Sequence, residues 1–230
     1  LGQAWRLAPG TDFYKDDTVT EEAASAELDQ VMTQIVNLNM NSILVDTRMP
    51  DGRVIFASKA VQSTPVDLLK LITKKAAENG LTVSAVFHAS DLLLADGTPL
   101  ASHVSSVNRQ ALMDAAGELA VYELETLQLE DYYTKRSGDT YREFVSYGAV
   151  GDYNSWLLNT TNVALERIVE TVRSAKNTLP VGIGVSSVWA NAAAKEGGSE
   201  TSADFQALID GHADTKGLTE GKKIDFVDVN

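Results

Sequence analysis

Residues 64–87, TPVDLLKLITKKAAENGLTVSAVF, combine the signals of a helix with those of a strand that follows it directly. Thr64 can cap a helix, Pro65 suits its first turn, and Asp67 favours the positive end of the helix dipole. The segment Thr82 to Phe87 is short, apolar and rich in β-branched residues, which is typical of a buried strand. This stretch therefore predicts one helix-strand unit of an α/β fold.

The same alternation extends in both directions along the chain. Short aliphatic runs are separated by amphipathic stretches with helical spacing, a pattern typical of a parallel sheet with crossover helices. Five helices are expected between six strands, the last starting near Ser202 and the one before it carrying Thr161, Leu165, Ile168, Val172 and Ala175 on one face. The strands are expected at Ala4 to Ala8, Ser42 to Thr47, Thr82 to Phe87, Thr126 to Glu130, Val181 to Ser186 and Asp225 to Val229.

Two architectures fit six such strands: an open doubly wound sheet, or most of an eight-stranded β/α barrel. A dinucleotide-binding sheet would need Gly-x-Gly-x-x-Gly after its first strand. The nearest match, Gly182-Ile183-Gly184, lies inside the fifth expected strand and lacks the third glycine. We interpret these glycines as positions of close strand packing. Residues 1–230 are expected to form a single domain, because no seam between two domains is visible.

Composition excludes several partners and cofactors. With 19 basic and 32 acidic residues the net charge is −13, which disfavours nucleic acid. The chain has no Cys, so thiolate metal sites are excluded, and its three His have no zinc-site spacing. No apolar run approaches the roughly 20 residues of a membrane span. The chain starts at Leu1 without a Met, so a removed leader and an extracellular or cell-envelope location are expected, although a cytoplasmic one stays open.

Polar and aromatic residues close the expected strands. In a β/α barrel the carboxyl ends of the strands form one rim, where chemistry is carried out. Two carboxylates flanking a sugar, with aromatic rings to stack on it, are the requirements of glycoside hydrolysis. The candidate catalytic residues are Asp131 and Glu130, and the candidate substrate-binding residues are Asp46, Arg48, His88, Tyr132, Trp189, Asn191 and Asp228.

Each candidate also has a structural alternative. Asp46, Glu130 and Asp228 could be interior polar groups or helix caps, and Trp189 could be a lid on the core. His88 could bind a sugar, act as a general acid, or only bond to its neighbours. Glu130 and Asp131 are adjacent, so within a strand they would point to opposite faces, and both could reach the rim only if the strand had ended.

Metal binding is a further alternative. The carboxylates of Asp46, Glu130, Asp131 and Asp228 come from three strands and could bind a hard cation, as in a metal-dependent lyase or isomerase. Nothing in the pattern requires a metal or another cofactor, and none is expected.

The second half of the chain resembles a known family, the glycosyl-hydrolase-like family ten of bacterial glycosidase-like proteins. Its fourth strand typically ends in Asp-Asp-Tyr-Tyr or Asp-Asp-Tyr-Phe, and Leu127 to Tyr133 (LQLEDYY) is similar with Glu130 for the first Asp. Segments Val185 to Asn191 (VSSVWAN) and Gly198 to Ala203 (GSETSA) resemble its fifth strand and the loop that follows. Ala213-Asp214-Thr215, Ile224 to Val227 and Arg48 also correspond to family positions.

The resemblance implies a (β/α)8 TIM-barrel fold with about six of its eight strands in this chain, and thus a divergent, C-terminally truncated member. It implies a glycoside hydrolase that acts on a poly- or oligosaccharide by carboxylate acid/base chemistry. Two departures stand out: His88 replaces an Asn that usually closes the third strand, and Asp228-Val229-Asn230 replaces a Pro-Gln segment. A non-catalytic carbohydrate-binding or cell-envelope protein is therefore the alternative function.

Overall fold

The computed structural model describes residues 4–16, 18–100, 106–131, 138–146, 148, 151–185 and 224–229. Within these ranges strands and helices alternate along the chain. The strands are β1 (Ala4–Leu7), β2 (Ser42–Asp46), β3 (Thr82–His88), β4 (Leu127–Glu130), β5 (Val181–Val185) and β6 (Phe226–Val229). The helices are α1 (Glu21–Asn37), α2 (Leu68–Glu78), α3 (Ser106–Ala120), α4 (Gly138–Ser146) and α5 (Tyr153–Ala175).

The six strands form one sheet in chain order, and every neighbouring pair is parallel. A doubly wound sheet would instead place the first strand near the middle, with later strands on both sides. The order β1 to β6 is that of a β/α barrel, so the fold is a TIM-barrel-like half-barrel. This confirms the expected fold class and its six strands.

The sheet is curled rather than flat. Three strand spacings of about 4.8 Å would separate β1 from β4 by about 14 Å in a flat sheet. Nevertheless Arg6 Nη2 on β1 lies 2.9 Å from Glu130 Oε2 on β4. Curvature therefore brings interior-facing side chains from distant strands to one place.

The two faces of the strands have different roles. Ile43 and Val45 on β2 are fully buried, as are Leu127 and Leu129 on β4, and they belong to the hydrophobic core that the helices cover. The opposite face of β2 carries the half-buried Asp46. This period-two alternation directs the polar residues into the concave side of the half-barrel.

The two glycines of β5 are confirmed as positions of close packing. A Cβ added to Gly182 would lie 2.5 Å from both the ring and the carbonyl oxygen of Phe226 on β6. A Cβ added to Gly184 would lie 3.0 Å from Glu130 Oε1 on β4. The absence of a side chain at Gly182 and Gly184 thus lets both neighbouring strands place bulky or polar groups over β5.

Substituting Gly182→Ala is expected to destabilise the protein by about 1–3 kcal/mol, the usual cost of overpacking, because a backbone carbonyl cannot move away easily. Urea denaturation of wild type and variant measures this difference. Gly117→Ala is the control: its Cβ meets only the Thr171 methyl at 3.1 Å, and Ala is favoured in a helix. Equal stability of Gly182→Ala and wild type would contradict the close approach of β5 and β6.

The helices differ from the sequence prediction in their details. Helix α2 starts at Leu68 with Asp67 as its N-cap, whose carboxylate accepts from the Lys70 N–H at 3.1 Å. Thr64 is not the cap, because its hydroxyl donates to the Val66 carbonyl. Helix α5 contains the expected face from Thr161 to Ala175 and starts at Tyr153, and α4 was not predicted. The fifth expected helix, from Ser202, lies outside the described residues.

Among the helices in the described ranges, none combines the length and the apolar character that crossing a membrane would require.

Candidate active site

Three of the predicted site residues are the last residues of neighbouring strands. Asp46 ends β2, His88 ends β3 and Glu130 ends β4, and His88 is the register partner of Glu130. Because all these strands are parallel, their carboxyl ends share one edge of the sheet. The side chains consequently meet at the concave rim of the half-barrel.

Arg6, on β1, joins two of these carboxylates. Its Nη2 and Nε donate to Asp46 at 2.7 and 3.1 Å, and its Nη2 and Nη1 donate to Glu130 at 2.9 and 3.2 Å. Both pairings are two-point contacts that match the planar guanidinium, the geometry that makes Arg-carboxylate pairs strong and directional. The pairing with Asp46 is the main reason that the pKa of Arg6 is raised.

His88 lies between two further carboxylate contacts. Its Nε2 is 3.1 Å from Asp46 Oδ1, and its Nδ1 is 2.9 Å from Asp131 Oδ2. Ionised carboxylates only accept hydrogen bonds, so both ring nitrogens act as donors, which is the arrangement of the imidazolium form. Burial alone would lower the pKa of His88, but the hydrogen bonds to Asp131 and Asp46 outweigh it and raise that pKa.

The neighbouring acids respond in the opposite sense. The hydrogen bond from His88 lowers the pKa of Asp131 and outweighs the effect of burial. Burial would raise the pKa of Asp46, but hydrogen bonds from His88 and Arg6 outweigh it and lower that pKa. The contacts at the rim therefore favour carboxylates at Asp46 and Asp131 around a protonated His88.

Both Glu130 and Asp131 reach the rim. Strand β4 ends at Glu130, and Asp131 takes a left-handed backbone conformation with φ of 52°. This turn replaces strand alternation, which would have sent the two side chains to opposite faces. The side chain of Asp131 is 36% exposed and that of Glu130 is 17% exposed, so Asp131 is the more accessible carboxylate.

Arg48 completes the arrangement around Asp131. Its Nη2 donates to Asp131 Oδ2 at 3.1 Å, and its Nη1 donates to the Ser90 carbonyl at 2.6 Å. Arg48, Arg6, Asp46 and His88 line an open cleft of about 450 Å³. The remaining described residues that line the cleft are Ala8, Pro9, Thr11, Met49, Pro50 and Asp91.

The other predicted site residues are placed less completely. Asp228 is half-buried on β6, where it pairs in register with Gly184. Tyr132, Trp189 and Asn191 lie outside the described residues.

Arg6 was missed by sequence reasoning, although a charged residue between Trp5 and Leu7 in an expected strand was a signal for an interior polar position.

Asp46, His88 and Glu130 have a spacing that could suit a metal ion. One potential ligand atom from each lies within 4.8 Å of the others. Arg6, however, donates to both carboxylates of this trio, so a cation bound there would have to displace or share with the guanidinium. The described side chains fit a charge-balanced network better than a dedicated metal site.

No family model matches this chain. In sequence it is 27% identical over 113 residues to glycosyl hydrolase YngK of Bacillus subtilis, which covers 46% of this chain and 22% of the relative. Identity is also 27% over 113 residues to glycosyl hydrolase DigH of Escherichia coli, covering 46% of this chain and 25% of that relative. The matches thus span no more than a quarter of the length of either relative.

In structure the chain is similar to the glycoside hydrolase domain of PgaB (BpsB) from Bordetella bronchiseptica. The TM-score is 0.58, with 81% of this chain and 65% of that chain covered at 11% sequence identity. Identity this low supports a shared fold only. The chain is therefore similar in sequence to proteins named glycosyl hydrolases, and it shares its barrel-type fold with a glycoside hydrolase domain.

Proposed function

We propose that this chain carries the catalytic rim of a glycoside hydrolase that acts on a poly- or oligosaccharide. The observation that carries the proposal is the His88–Asp131 pair, 2.9 Å apart at the carboxyl ends of β3 and β4. Arg48 fixes the same Asp131 oxygen, and His88 and Arg48 line the open cleft. The similarity to named glycosyl hydrolases supports this choice among the chemistries possible on a barrel.

Glycoside hydrolysis needs a proton for the leaving oxygen and a carboxylate to stabilise the charge that develops on the sugar. The imidazolium of His88 holds a proton that it donates in a hydrogen bond to Asp131. Asp131 is the member of the pair with the greater exposure, and it is the candidate to relay that proton to the glycosidic oxygen as His88 releases it. Asp228, on the same concave face, is the candidate for the second carboxylate.

Sugar binding is assigned to the residues around this pair. Arg48 and Asp46 border the cleft and can hydrogen-bond sugar hydroxyls. Tyr132, Trp189 and Asn191 stay predictions as stacking and hydrogen-bonding partners, carried by their motifs in the sequence. Open clefts with a few convergent polar groups are typical of ligand sites.

The test is a comparison of turnover with binding. The protein is incubated with a panel of soluble polysaccharides and oligosaccharides, and released reducing ends are quantified while binding is followed by calorimetry. Release of reducing ends that persists in the presence of a chelator supports the proposal. Binding without release would favour the non-catalytic carbohydrate-binding alternative, and chelator-sensitive turnover would favour a metal-dependent enzyme. If the protein neither bound nor cleaved any glycan of the panel, the proposed carbohydrate site would be contradicted.

A further inference from the structure

Arg6 makes four donor contacts at the rim, and they link one residue from β1 with two carboxylates from β2 and β4. A guanidinium presents its donors in a fixed plane, so two bidentate partners determine both carboxylate orientations at once. Lysine could supply the charge but not this geometry. Arg6 therefore fixes where Asp46 and Glu130 lie relative to each other.

The environment of Glu130 is also filled by donors. Glu130 Oε1 accepts from Arg6 Nη1 and from Gln128 Nε2 at 2.8 Å, and its Oε2 accepts from Arg6 Nη2. Since Gly184 leaves no Cβ over this carboxylate, the arrangement is also sterically accommodated by β5. Glu130 is thus held by N–H donors at both of its oxygens.

Asp131 has different partners. Its Oδ2 accepts from His88 and Arg48, and its side chain is more exposed than that of Glu130. His88 in turn reaches Asp46, the other carboxylate that Arg6 holds. The network therefore runs from Arg6 through Asp46 and His88 to Asp131, and Glu130 lies on the Arg6 side of it.

We propose that Arg6 is a positioning residue of this site, which holds Asp46 and Glu130 in place so that proton transfer to the sugar is left to the His88–Asp131 pair. The inference rests on the proposed function and refines it, because it removes Glu130 from the proton-donor role. In this role Arg6 acts through the two carboxylates that it holds.

The test is a double-mutant cycle of Arg6→Gln and Glu130→Gln on a glycan that the wild type hydrolyses. Arg6→Gln is expected to lower kcat about tenfold with KM within about twofold, because orientation rather than uniform binding is lost. The double variant should be no slower than the slower single variant, since both changes remove one interaction. Arg6→Lys should fail to restore wild-type kcat. Arg173→Gln, which removes the contact with Asp225 at 3.3 Å, is the arginine control and should leave kcat unchanged.

Losses that multiply in the double variant, or full rescue by Arg6→Lys, would overturn the inference. The four proteins of the cycle, namely the wild type, the two single Gln variants and the double variant, are also unfolded in urea. A non-additive shift of the denaturation midpoint supports the Arg6–Glu130 coupling, and additive shifts contradict it. This second cycle needs no substrate, so it still decides the role of Arg6 in fixing the carboxylates if no glycan is turned over and the proposed function itself fails.

Discussion

Replacing Asp131 with Asn is expected to slow glycan hydrolysis by at least about a hundredfold, the usual scale for losing general acid–base catalysis. Asn keeps the size of the side chain and can still bond to its neighbours, but it cannot accept and pass on a proton. It also removes the negative charge between His88 and Arg48, whose donors are 2.9 and 3.1 Å from Asp131 Oδ2. Because Asp131 is partly exposed, the fold should tolerate the change. The measurement is kcat from reducing-end release, with circular dichroism to verify folding.

Two further variants test whether the loss of activity is specific to Asp131. Glu130→Gln should cost less than Asp131→Asn, because Glu130 is bound by Arg6 and Gln128 and its side chain is less exposed. Asp29→Asn is the matched control, since it removes a paired carboxylate that lies 2.7 Å from Lys75 on the helices. It should leave kcat at the wild-type value. If Asp131→Asn and Glu130→Gln both retained full hydrolysis, the assignment of the end of β4 as the catalytic position would be wrong.

Much of the fold could be predicted because the strands of a parallel sheet are short, apolar and separated by helices. The details that failed are those decided by tertiary contacts. Thr64 and Asp67 can both cap a helix. The Thr64 N–H, however, donates to the Val54 carbonyl, so the backbone of Thr64 is hydrogen-bonded to a neighbouring loop. Helix α4 is short, and Phe144 packs against Trp156 on α5 with ring centroids 5.6 Å apart. Its stability comes from that packing rather than from a local signal.

The rim was predictable where residues close a strand, as Asp46, His88 and Glu130 do. Arg6 was not predictable in the same way, because it lies inside β1 and reaches Glu130 only through the curvature of the sheet. The choice between Glu130 and Asp131 also needed the structure. Strict alternation allows only one of them to face the rim, and the left-handed turn at Asp131 brings both there.

Substituting His88→Gln is expected to reduce kcat by about a hundredfold, again the scale of lost acid–base catalysis, and to change how stability depends on pH. In the wild type the pKa of His88 is raised above its ordinary value of 6.5. Its contribution to stability is therefore fully present below pH 6.5 and is lost as the pH rises through the folded-state pKa. The pKa values of Asp46 and Asp131 are lowered from 3.8, so their contribution is present above that pH and is lost as the pH falls through their folded-state pKa values.

The network should consequently stabilise the fold most between pH 3.8 and 6.5, and the unfolding free energy should decline above that window. One proton limits the slope to about 1.4 kcal/mol per pH unit. Gln cannot carry the charge that faces Asp46, Asp131 and Arg48, so His88→Gln should flatten this decline, whereas Asp29→Asn should keep it. Urea denaturation at several pH values from 5 to 9 measures the slope. An unchanged decline in His88→Gln would show that another group carries the proton, and the His88–Asp131 pair would then lose its role as the proton source for the sugar.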